Sequence, residues 1–180
     1  EWEPGASGGI LGDPADGYRV YQSTDGRSWD RGTAVDGLQL KLTTEPGEQV
    51  FVRVAASNEG GMSFPTETLG ARRSPDGWTP GLVVSAFDRL QGSNLVWEEV
   101  PTLDWVVRMP LERVNGFDTT AAAGRAIGAA GWDFDSISDE RLSELDLSDY
   151  GLIIWSAGQG STEDETFSAE QQAIVRDFVA

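Results

Sequence analysis

The sequence predicts two folds in series: an all-β sandwich over residues 1–73, and a three-layer α/β fold with a parallel sheet over residues 82–180. Three observations predict this. The first seventy or so residues alternate with period two between turn signals, as half-buried strands do. Residues 74–81, with Pro75, Gly77 and Pro80, have the composition of a linker. Beyond it, unbroken apolar runs alternate with helix signals, the pattern of strands covered on both faces.

In the first part, Tyr18, Val20 and Gln22 share one face of a strand, opposite Arg19 and Tyr21. Leu38-Gln39-Leu40-Lys41-Leu42 alternates as a strand with one buried face. Val50, Val52 and Val54 repeat the pattern against Phe51 and Arg53. Thr24-Asp25-Gly26 and Glu45-Pro46-Gly47 supply the backbone angles that tight turns demand. The expectation is a core holding Leu38, Leu40, Val52 and Val54, separate from a second core holding Val83, Val84, Ile153 and Ile154.

In the second part, Leu82-Val83-Val84-Ser85-Ala86-Phe87 suits a central strand, and it runs into Asp88-Arg89. Residues 90–114 are too irregular to assign. Asp118 is placed to cap an alanine-rich helix that runs to about Ala130 and stops at Gly131. A short strand follows near residues 132–136, and residues 150–156 form a further apolar strand leading into Gly158-Gln159-Gly160. Ser168-Ala169-Glu170-Gln171 is a capping box, opening a helix with Ala173, Ile174, Val175, Phe178 and Val179 as its apolar positions.

Composition narrows the chemistry. Cysteine and histidine are both absent from the 180 residues. Disulfides, thiolate nucleophiles, imidazole bases and the usual zinc ligands are thereby excluded. The formal net charge is −17, and Lys41 is the single lysine. Such a surface repels nucleic acid and anionic membranes, so no nucleic-acid partner and no membrane insertion are expected. No cofactor is implied.

The motifs of the first part resemble a fibronectin type III domain. Trp2-Glu3-Pro4 is similar to the end of its second strand, residues 17–26 to its third strand and turn, Pro46-Gly47 with residues 50–58 to its sixth, and residues 60–67 to the loop into its last. Val50 stands where that family usually has a tyrosine, and the first strand is missing, which leaves an unpaired edge. The second part resembles the amidotransferase-like, flavodoxin-like domains of bacterial xanthan lyase-like or golvesin-like secreted proteins, some of which carry an N-acetylmuramoyl-L-alanine amidase domain. Residues 82–89, Asn115-Gly116-Phe117-Asp118, residues 149–158 and residues 162–178 carry that likeness. The resemblance implies truncation at both ends, and with it marginal stability or self-association.

In open α/β sheets, ligands bind beyond the carboxyl ends of the strands. That edge would hold Asp88 and Arg89 after the first strand, and Ser156, Gln159 and Ser161 after the third, as a small polar ligand pocket. The plainer alternative is that Asp88 and Arg89 pair with one another. Asp133, Asp135, Asp139 and Glu140 lack the glycine of a calcium-binding loop and read as a solvated acidic face. Gly158-Gln159-Gly160-Ser161 lacks the lysine and spacing of a phosphate loop. No catalytic set can be completed and no metal site is expected. Trp29, Trp78, Trp97 and Trp105 are the tryptophans that could stack on sugars.

Together these observations predict a non-catalytic segment of a secreted, multidomain bacterial cell-surface protein, acting as spacer and as a structural or ligand-binding module. Its expected partners are the remaining domains of the parent protein and a polysaccharide or peptidoglycan. The alternative is part of a cell-wall amidase or polysaccharide-degrading enzyme whose catalytic residues lie outside this chain.

Overall fold

The computed structural model describes residues 1–5, 13–74, 80–86, 96–108, 119–157 and 166–180. Its described strands do not separate into one sheet for each of the two expected folds. They are β1 (Gly17–Ser23), β2 (Thr33–Val35), β3 (Gln49–Asn58), β4 (Gly61–Met62), β5 (Leu69–Arg72), β6 (Gly81–Ser85), β7 (Val96–Val100), β8 (Asp104–Arg108), β9 (Phe134–Ser138) and β10 (Leu152–Ser156), with helices α1 (Thr119–Ala129) and α2 (Ala169–Val179). Eight strands form one mixed sheet in the order β10-β6-β9-β5-β3-β1-β2, with β4 also on β3. Strands β7 and β8 make a separate two-stranded sheet.

This corrects the expected pair of a fibronectin-like sandwich and a flavodoxin-like three-layer domain. Strands β1, β2, β3, β4 and β5 pair antiparallel, and β6 pairs parallel with both β9 and β10. The two regimes meet where Arg72 of β5 pairs antiparallel with Phe134 of β9. One core crosses the junction: Phe51 is buried with Val83, Ala121, Ile127 and Phe134. The Phe51 and Phe134 rings stack at 6.0 Å between centroids. A sandwich would cover Phe51 with a second sheet; here α1 covers it together with the parallel strands. Residues 75–79 of the expected linker lie outside the described residues.

Glycine makes the close approach of α1 possible. A Cβ on Gly124 would lie 2.5 Å from Phe134 Cζ and 3.0 Å from Phe51 Cε1, so the helix could not settle on these rings with any larger residue. The helix ends at Gly131 in the left-handed region, φ 83°. There the Trp132 N–H donates to the Ile127 carbonyl (3.1 Å) and the Gly131 N–H to the Gly128 carbonyl (3.0 Å). That pair of bonds satisfies carbonyls otherwise left open at a helix end. Asp118, expected as its N-cap, lies outside the described residues.

The opposite face of the parallel strands is covered by the 3-10 turns Asp139–Glu144 and Leu147–Asp149 and by α2. Leu82, Val84 and Leu142 are buried there, with Ile137, Ile153, Trp155 and Ile174 against them. The capping box at Ser168 is formed, with reciprocal bonds between Ser168 and Gln171.

The expected strand at residues 38–42 is not formed, and Leu38 is exposed. Alternation makes a strand only where the segment finds a ladder partner, and residues 38–42 pair with no strand although the outer edge of β2 is unpaired among the described strands. In its place, Trp2 N–H donates to the Leu38 carbonyl at 3.0 Å, and residues 39–45 carry no regular structure. No described helix is long and apolar enough to cross a membrane.

Candidate functional site

The polar set expected beyond the parallel strands falls mostly outside the described residues: Asp88, Arg89, Gln159 and Ser161 all do. Ser156 is described, at the carboxyl end of β10 and in register with Ser85 of β6, which is in turn in register with Ser138 of β9. The Ser156 carbonyl accepts from the Ala86 N–H at 2.9 Å, so the residue helps hold the sheet edge. The acidic residues near β9 have structural partners. Asp133 pairs with Arg72, Asp135 with Arg73, and the Asp139 carboxylate accepts from Gln171.

A larger feature lies at the antiparallel end. Trp2, Asp13, Tyr18, Val54, Asn58, Met62, Phe64 and Thr66 belong to the walls of an open cleft of about 640 Å³. Its aromatic content comes from three places. Trp2 packs edge-on against Tyr18 of β1, with centroids 5.5 Å apart. Phe64 follows β4 and is 75% exposed, with Met62 exposed beside it. An apolar ring left so far in water is unusual enough to ask what holds it there.

Hydroxyls hold it. Past β4 the chain continues beside β3 without regular ladder bonds, because Pro65 has no N–H to give. The Ser63 hydroxyl accepts from the Ala56 N–H (2.9 Å) and donates to the Phe64 carbonyl (2.7 Å). The Thr66 hydroxyl accepts from the Val54 N–H (3.0 Å) and donates to the Glu67 carbonyl (2.9 Å). Backbone bonds from Ser63 N–H to Ala56 and from Thr66 N–H to Val54 complete the frame. Two side chains thus stand in for missing ladder positions, and Phe64 is presented on a fixed backbone.

Asn58 fastens the opposite wall. Its side-chain N–H₂ donates to the Asp13 and Pro14 carbonyls (3.2 and 3.4 Å), and its side-chain oxygen accepts from Gly60 N–H (2.9 Å). Glu3, Ser57 and Pro65 also belong to the lining, which thus mixes apolar, hydroxyl-bearing and acidic residues.

The tryptophans singled out for stacking separate clearly. Trp29 lies under Arg53, whose guanidinium carbon is 4.2 Å from the ring centroid, and packs against the core. Burial lowers the Arg53 pKa. Trp78 lies outside the described residues. Trp97 and Trp105 are both exposed on the β7–β8 hairpin. The aromatic cleft itself went unread in the sequence; Phe64-Pro65 between Ser63 and Thr66, after a Gly60-Gly61 turn, was its available signal. No family model, curated protein or solved structure matches this chain.

Proposed function

We propose that this chain is a non-catalytic, polysaccharide-binding segment of a secreted, multidomain bacterial cell-surface protein, serving also as a spacer between neighbouring domains. The observation that carries the reading is a cleft lined by Trp2, Tyr18 and Phe64 together with Asp13 and Ser57, in which the Phe64 ring is 75% exposed. Aromatic faces pack on the apolar faces of sugar rings, and nearby polar groups fix the orientation of hydroxyls.

The test is sedimentation of the purified chain with insoluble peptidoglycan and with insoluble glucans, alongside a reducing-sugar assay. Retention on one of these polymers without release of sugar is expected. A chain retained on none, or one that releases sugar and loses that activity on changing a single Asp, Glu or Ser, contradicts the reading.

A further inference from the structure

The β7–β8 hairpin carries a second surface unlike the cleft. Its register pairs Trp97 with Val107 and Glu99 with Trp105. Side chains two apart on a strand, and those directly opposite, share a face. Trp97, Glu99, Trp105 and Val107 therefore line one side of the ribbon. All four are exposed, Trp97 at 65% and Trp105 at 60%. The two indoles are diagonal neighbours, roughly 7–8 Å apart at the backbone, with Glu99 directly across from one and beside the other.

The turn keeps this face in place. Pro101 begins a three-residue connection in which the Leu103 N–H donates to the Val100 carbonyl at 2.9 Å. Asp104 then takes the left-handed region at φ 62°, a conformation aspartate tolerates better than most residues. That geometry sets the Val100–Asp104 pair, and with it the register that collects the tryptophans on one side.

We propose that this face binds the cationic side chains of a basic polypeptide. The negative π-faces of two indoles and the Glu99 carboxylate attract the same kind of group, a guanidinium or ammonium, and none of the four residues is cationic. The chain as a whole carries −17, which steers such a partner toward it. A neutral sugar would gain from the indoles alone and would draw nothing from the charge between them. The hairpin is a different element from the cleft, so this site stands or falls separately from polysaccharide binding.

The full chain, ¹⁵N-labelled, is titrated with an octapeptide of alternating Arg and Gly while the indole N–H signals are followed by NMR. The signals of Trp97 and Trp105 are expected to move together and to saturate. Glu99→Gln, which keeps the shape of the face, should weaken binding roughly fivefold, and Trp105→Ala should weaken it at least as much. Glu170→Gln, an exposed change on α2, should leave it unaltered. Equal losses in Glu99→Gln and Glu170→Gln would mean general attraction to an acidic surface and would overturn the proposal. So would the absence of saturation, or a neutral hexasaccharide that moves the same two indoles regardless of Glu99.

Discussion

Arg72 and Asp133 form an ion pair at 3.0 Å across the junction of the two pairing regimes, with the Asp133 side chain 1% exposed. The aspartate also accepts from the Ser74 N–H (2.8 Å) and hydroxyl (3.0 Å). Arg72 is held as well by the Gly47 and Trp132 carbonyls. Next to it, Arg73 pairs with Asp135, which also accepts from the Tyr150 hydroxyl at 2.9 Å. Only one residue pair of the ladder joins β5 to β9, so these side chains supply most of the polar contact there.

Asp133→Ala takes an acceptor from both half-buried Arg72 and Ser74 in one step. A loss of about 2 kcal/mol is expected, because the donors left behind lose a charged partner at a site only partly open to water. Urea denaturation measures it. Hydrogen exchange on the same variant should show protection falling in both β3 and β6, since the junction serves both.

Gly124→Ala offers a sharper contrast. Helix propensity alone favours alanine by about 1 kcal/mol. The added Cβ would press into Phe134 and Phe51, which are both fully buried and cannot step aside. Net destabilisation of about 1–3 kcal/mol is expected, read as a lower midpoint at unchanged slope. A stabilised variant would mean that the helix does not rest on those rings.

Tyr150 gives a pH dependence of defined sign. Burial, together with the charge of Asp135 and the hydrogen bond to it, pushes the phenol from its ordinary value of 10.0 up to about 12. The folded state therefore favours the neutral hydroxyl. Its contribution is complete below pH 10 and is lost as the pH rises through 12. Tyr150→Phe should be less stable than the wild type by about 1 kcal/mol at neutral pH. The gap between the two should close between pH 10 and 12, as chemical denaturation at stepped pH would show.

The parts of the fold that were legible in the sequence are those set by local pattern. Alternation marked β1 and β3, an unbroken apolar run marked β6, and Ser168 with Gln171 marked the start of α2. The residues 38–42 show the limit of that pattern, since a strand also needs a ladder partner and these residues take none. The merging of the sheets rests on Phe51 meeting Phe134 and Arg72 meeting Asp133, contacts between residues far apart in the chain. Periodicity carries no record of such pairs. The hairpin was hidden because Trp97-Glu98-Glu99-Val100 breaks apolar alternation, although Pro101 and Asp104 marked its turn. At the cleft, the exposure of Phe64 depends on two hydroxyls replacing ladder bonds, which no composition rule anticipates.

Polysaccharide binding in the cleft is tested most directly by isothermal titration of the wild type and Phe64→Ala with the soluble oligosaccharide of whichever polymer retains the chain. Phe64 is 75% exposed, so its removal should leave the melting temperature nearly unchanged. Saturable binding to the wild type, weakened about tenfold in Phe64→Ala, is the expected result, equivalent to roughly 1.4 kcal/mol. Equal affinity in the two proteins, or no binding to either, would contradict a polysaccharide site built on Trp2, Tyr18 and Phe64.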